Sequence, residues 1–210
     1  MVPDPVERAA AAAAVGLAGR CSDAEARALA RAVVEDPDPR VRAASLAALV
    51  RAAPRAPARD AWLRAIDDDD PAVRRRGAEL APPLGRHVPV RALLTLLGDH
   101  DVSVAEAAAF ALGERARGST RAVGALAVAA TTHDDPLVRE AAVAALGALG
   151  DDRGLAAILQ ACSDRPAIRR RAVLALAAFE GDDVEAALRH ALEDPDWQVR
   201  QAAEDLVDPA

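Results

Sequence analysis

The chain has 210 residues, 52% hydrophobic and 28% charged, which is enough for one compact domain or one repeat array and too apolar for a disordered tail. Its formal net charge of −7 argues against a broad nucleic-acid footprint, since a duplex asks for a basic surface. Lys, Tyr and Asn are absent and all 26 basic residues are Arg, which excludes Lys nucleophiles and Schiff bases and keeps every cation protonated.

The first predicted helix opens at "DPVERAAA", with Asp4 as its cap. "SDAEARALARAVVED" follows, and its Ser22 and Glu25 form a capping box. From there two kinds of segment alternate. "DPRVRAAS", "DPAVRRRG", "DVSVAEAA", "DPLVREAA", "RPAIRRRA" and "DWQVRQAA" align on Val41, Val73, Val104, Val138, Ile168 and Val199, 30 to 34 residues apart. Between them run "RDAWLRAID", "VRALLTLLGD", "RAVGALAVAATT", "GLAAILQACSD" and "VEAALRHALED". The unit is helix, turn, helix. The second helix of each pair begins near residues 4, 38, 70, 101, 135, 166 and 196.

Each column of this alignment has a physical role. Three residues before the Val stands an Asp, an N-cap that accepts from free backbone N–H groups; Arg165 is the exception. Pro follows in five copies, where a first helical position needs no N–H. After the Val an apolar stripe runs Val138, Ala141, Ala142, Ala145, Leu146 and Leu149, one face of a helix. Gly16, Gly113 and Gly147 fall late in their helices, where Gly allows close approach or termination. No β alternation occurs. The pattern predicts an all-α solenoid, a right-handed superhelix of about six to seven helical hairpins, as a single domain over 1–210.

"DPLVREAAVAALGALGDDRG", Asp135 to Gly154, resembles the signature of HEAT repeats, of the short bacterial type named after the phycobilin lyase subunits. The resemblance runs from Asp4 to about Val207. It implies a ladder in which Arg8, Arg42, Arg74, Arg139, Arg169 and Arg200 each reach acidic turn residues of an adjacent repeat; Ala105 is the gap in that column. Without such partners an Arg in the first turn opposes the helix dipole. The resemblance carries little about function, since HEAT arrays serve many roles.

His100 and His133 sit in equivalent turns beside Asp residues, a pattern a divalent ion could use. HEAT-like deoxyhypusine hydroxylase holds its irons through repeated His-Glu pairs, and this chain has none, so no metal and no cofactor is expected. There is no GxSxG, no Cys with a placed His and no Gly-rich phosphate loop, so no catalytic residue is assigned. A HEAT-like DNA glycosylase would need aromatic and basic residues around a cleft; Trp62, with Leu63 and Ile66, reads as packing. An enzyme or enzyme accessory of the HEAT-like lyase type, holding a bilin-like small molecule, is the alternative function.

The leading expectation is a non-catalytic scaffold that binds a protein or peptide on the concave face lined by the second helices. Residues two and six places after the Val point away from the core stripe. They read Ala43, Arg75, Glu106, Glu140, Arg170 and Gln201, then Ala47, Glu79, Phe110, Ala144, Leu174 and Asp205. Arg75, Glu79, Glu106, Phe110, Glu140, Arg170, Leu174 and Gln201 are the candidate partner-binding residues. Phe110 and Leu174 either face outward or turn sideways into inter-repeat packing. Isolated Cys21 and Cys162, no secretory leader and no apolar run long enough for a membrane helix suggest a cytoplasmic monomer, and the Ala- and Arg-rich composition a bacterial source.

Overall fold

In a computed structural model, residues 4–207 are described, and they are helical with short turns. The chain divides into two compact units that meet between Ala108 and Ala109. In the first unit lie α1 (Pro5–Leu17), α2 (Asp23–Glu35), α3 (Pro39–Ala52), α4 (Arg55–Ala65), α5 (Pro71–Glu79), α6 (Ala81–Leu84) and α7 (Val90–Leu97). α8 (Val102–Arg115) begins in the first unit and ends in the second. The second unit continues with α9 (Thr120–Thr132), α10 (Pro136–Leu149), α11 (Leu155–Ala161), α12 (Pro166–Leu176), α13 (Asp182–Ala191) and α14 (Trp197–Val207).

The caps explain the helix starts. Asp4, Asp38, Asp70 and Asp135 each accept from the backbone N–H two residues on, and Asp4 and Ser22 complete capping boxes. Asp101 and Asp196 do the same for Ser103 and Gln198. Arg165 makes no side-chain cap; there the Asp164 carboxylate accepts from the Arg165 N–H instead.

Like packs on like. In the first unit α1 lies on α3 and α3 on α5, while α2 and α4 form the other layer. In the second, α10 packs on α12 and α12 on α14, with α9 and α11 beside them. Small residues set the spacing of the second helices. A Cβ added to Gly147 would stand 2.7 Å from the Ala175 Cβ and 2.9 Å from its Cα. Gly16 meets Ala48, and Gly113 meets Ala145, in the same register, so the glycines serve close approach. The apolar stripes become the core, with Leu46, Leu49, Trp62 and Leu93 fully buried in the first unit and Leu112, Leu146, Ile168 and Leu176 in the second.

One second helix departs from the repeat. The helix from Pro71 ends at Glu79 and resumes as α6 with a 3-10 turn over Gly85–His87. Pro82 has no N–H for the Ala78 carbonyl, so the ladder cannot continue. The Trp62 Nε1–H bridges the damage by donating to the Gly77 carbonyl at 2.6 Å.

Candidate functional site

The arginine column is a set of forks. Arg8, Arg42, Arg74, Arg139 and Arg169 each donate from Nε and Nη2 to both oxygens of one Asp, at 2.7–3.0 Å. The acceptors are Asp36, Asp68, Asp99, Asp164 and Asp194, in the turn that precedes the next second helix. In Arg42, Arg74 and Arg139 the Nη1 donates to two carbonyls of the turn before its own helix. Arg169 makes one such bond, to the Asp164 carbonyl. The turn carboxylates also accept from the N–H of the cap residue, as in Asp36 to Asp38 and Asp68 to Asp70. The guanidinium bonds hold the carboxyls of Asp36, Asp99, Asp164 and Asp194 below the ordinary carboxylate range.

Sequence reading named the arginines but not these acidic partners. A column five residues before the Val would have found four of the five, Asp36, Asp68, Asp99 and Asp194, while Asp164 stands four before Ile168. That column carries His133 in the repeat that follows the Ala105 gap, so both columns lose their charge together. The His133 Nδ1 takes the turn role of the missing Asp and accepts from the Asp135 N–H at 3.1 Å. Among the described residues no group of three or more His, Cys, Asp or Glu side chains is gathered to hold a metal ion. The thiols are shifted away from reactivity. Burial pushes Cys162 up to about 11. Cys21 is raised by burial and then by Glu25 and Asp23.

The candidate partner-binding residues fall on both units. In the first, Arg75 and Arg76 both reach Glu79, at 3.5 and 2.8 Å, and Glu106 is exposed. Ala47 does not face solvent as its column predicts; at 4% exposure it is covered, because α3 is flanked by both α1 and α5. In the second unit Phe110 is 62% and Leu174 37% exposed, so neither turns fully into the packing. Glu140 accepts from Arg171 on the neighbouring helix at 3.4 Å. Arg170 is exposed and makes no ion pair among the described residues, and Gln201 donates to Asp205 one turn on. Trp62 is fully buried, as packing required, and Phe179 is buried too.

Between α10 and α12 the second helices leave a shallow groove of about 320 Å³. Its floor is Ala144, Gly147, Ala148, Ala175 and Ala178, with Leu174 beside it and Arg171 the one charged lining residue. The small side chains that let the helices close up also keep this groove shallow. No described helix is long and apolar enough to cross a membrane.

Comparison with known proteins agrees on the architecture. A family model described as HEAT repeats matches residues 90–167 and 155–205. A search of the curated proteins finds no match. Among solved structures, YibA of Escherichia coli is 17% identical with a TM-score of 0.73, over 100% of this chain and 78% of its own. The CpcE–CpcF complex of phycocyanin lyase from Nostoc sp. PCC7120 is 22% identical with a TM-score of 0.56, over 70% of this chain and 95% of that one. A designed armadillo repeat protein in complex with the peptide (KR)4 is 16% identical with a TM-score of 0.63, over 89% and 99%. Likeness at these identities shows the fold, an all-α repeat solenoid of the HEAT and armadillo kind.

Proposed function

The chain belongs to the HEAT-repeat family, and on that premise we propose that it is a non-catalytic scaffold binding a protein or peptide on the second-helix face of its repeats. The observation that carries this reading lies in the second unit, where Phe110 stays 62% exposed on a helix that fully buries Ala111 and Leu112 beside it. Burying a large apolar side chain is worth about 1.5–3 kcal/mol, so a partner that covers it gains directly. The groove beside Leu174 fits the same reading. It is open and lined by small apolar groups, without the convergent polar groups that orient a small-molecule ligand. Arg170 and the Glu140–Arg171 pair stand near it and supply charge for orientation more than for affinity.

Two structural neighbours support the mode of binding, since CpcE was solved with CpcF and the designed armadillo protein with a peptide. The same reading takes the protein to be a bacterial, cytoplasmic monomer, supported by its Arg-only basic residues and unpaired cysteines.

The test is site-specific photo-crosslinking in the source organism. A photoreactive phenylalanine at position 174 should capture one dominant polypeptide, and Phe110→Asp should abolish the capture. The same group at Val128, exposed on α9 in the other layer, should capture none of it. Equal products from 174 and 128, or capture that survives Phe110→Asp, refutes the second-helix face as the binding surface.

A further inference from the structure

Within the first unit, charge is sorted between two sets of turns. The turns that lead into α3, α5 and α8 are acidic, with Asp36, Asp68 and Asp99 in forks and Asp38 and Asp70 as caps. The turns that follow α3 and α6 are basic. Arg51 stands in the last turn of α3, Arg59 one turn into α4, Arg86 in the 3-10 turn over Gly85–His87, and Arg91 in the first turn of α7. All four are exposed.

Carboxylates are scarce around them. From Ala43 to Ile66 the only one is Asp60, and from Gly77 to Gly98 the only one is Glu79. Asp60 pairs with Arg59, and Glu79 with Arg75 and Arg76. Arg51, Arg86 and Arg91 make no ion pair among the described residues. The caps of α4 and α7 are Pro54 and Pro89, so no cap carboxylate stands there either.

One contact gathers the group. Arg59 donates from Nε to the His87 carbonyl at 3.0 Å, which holds the 3-10 turn, and Arg86 within it, against α4. Arg51 is joined to the same place by a short link, since α4 opens four residues after it. Arg91 follows His87 by four residues. The repeat does not ask for this arrangement. An Arg in the first turn of a helix opposes the dipole. At Arg42 and Arg74 a turn Asp offsets that cost, whereas Arg91 has no such carboxylate among the described residues. Arg51, at a helix C-terminus, is the one its own helix favours.

We propose that Arg51, Arg59, Arg86 and Arg91 form a docking surface for an acidic segment of another polypeptide, whose Asp and Glu carboxylates pair with these guanidiniums. The surface shares no residue with the second-helix face and stands whether or not that face binds a partner. Guanidinium forks match carboxylates through both oxygens, as five rungs of this chain show. Nucleic acid fits less well. Unstacked bases need aromatic platforms, and Trp62, the one Phe, Tyr or Trp of the first unit, is fully buried. A long polyanion would also meet the repulsion of a chain with net charge −7, whereas a short segment stays within the patch. A second copy would present turn carboxylates already engaged in forks and caps.

The test uses the full chain and a fluorescein-labelled peptide of alternating Asp and Ala, followed by fluorescence anisotropy at low salt. Binding should be saturable and should weaken as salt is raised. Arg51→Gln, Arg86→Gln and Arg91→Gln together should weaken it about tenfold while circular dichroism stays native. Arg59 is kept because it holds the turn. Arg27→Gln, Arg31→Gln and Arg64→Gln, exposed arginines elsewhere in the unit, change the net charge equally and should weaken binding less than about twofold. No saturable binding, equal weakening in the two variants, or equal binding of an Asn–Ala peptide overturns the surface. A single-stranded oligonucleotide of equal charge that binds more tightly than the peptide makes the occupant nucleic acid. Self-association of the chain that the first variant abolishes makes it a second copy. Either result overturns the assignment to an acidic segment of another polypeptide.

Discussion

Replacing Arg139 by Ala removes a filled rung at a place where its worth can be divided. Arg139 makes four hydrogen bonds, two to Asp164 at 2.8 and 3.0 Å and two to the carbonyls of His133 and Asp134 at 2.8 and 3.1 Å. Its side chain is 14% exposed and that of Asp164 22%, so solvent replaces the lost bonds only in part. The carbonyl pair contributes about 1 kcal/mol and the charge-assisted fork about 2, so Arg139→Ala should cost about 3 kcal/mol. Arg200→Ala is the internal control. It loses the same two carbonyl bonds but no carboxylate, and should cost about 1 kcal/mol. A double-mutant cycle of Arg139→Ala with Asp164→Ala should return a coupling of about 2 kcal/mol. Urea unfolding followed by circular dichroism gives the totals. Because repeat stacks unfold through nearest-neighbour steps, hydrogen exchange should place the loss in α10 and α12. Equal costs for Arg139→Ala and Arg200→Ala, or a coupling near zero, refute the view that the ladder's carboxylates hold neighbouring repeats together.

Asp36, Asp99, Asp164 and Asp194 have carboxyls depressed in the fold by their Arg partners, so their stabilisation is full above the ordinary value of 3.8 and is lost as pH falls through their lowered values. Thermal midpoints measured from pH 7 down to pH 2 should therefore drop below about pH 4, and less steeply in Arg139→Ala. Gly147→Ala should destabilise by about 2 kcal/mol through its clash with Ala175, whereas Gly124→Ala, in α9 with nothing within 4 Å, should stabilise by about 0.5–1 kcal/mol. Matched urea titrations check the sign of each. The Ser45 hydroxyl is buried with no hydrogen-bond partner among the described residues where other repeats carry Ala or Gly, so Ser45→Ala should raise stability by about 1 kcal/mol in the same assay.

The fold was legible because each repeat states it again. Asp at the cap, Pro at the first helical position and Val at the head of the stripe agree on the same helix start in most copies, and agreement among independent local signals specifies a structure. The broken helix at Leu80 was not foreseen, although Pro82 and Pro83 mark it, because the column alignment weighs the start of a helix and says nothing of its end. Trp62 read correctly as packing, but its bond to the Gly77 carbonyl depends on that break. Ala47 was misread for a related reason: a face counted from one helix ignores the neighbours on both sides.

The segment "DDDDPAVRRRG" shows why the candidate site was harder to read. Asp68 fills the fork of Arg42, the Asp69 carbonyl accepts from Arg74, Asp70 caps α5, and Arg75 and Arg76 are drawn onto Glu79. Only Asp67 has no role in the ladder or the cap. In "SDRPAIRRRA" Asp164 and Arg169 are rungs and Arg171 reaches Glu140, which leaves Arg165 and Arg170. A dense charge pattern is thus mostly consumed by the repeat. Sequence alone cannot show this, because each ladder arginine's carboxylate lies 25 to 28 residues away in a different turn. Under the proposed scaffold reading, what a partner uses is what the repeat leaves over: Phe110, Leu174 and Arg170 in the second unit. In a repeat protein the informative position is the one that departs from its column while its neighbours obey, since packing then no longer explains the residue that stands there.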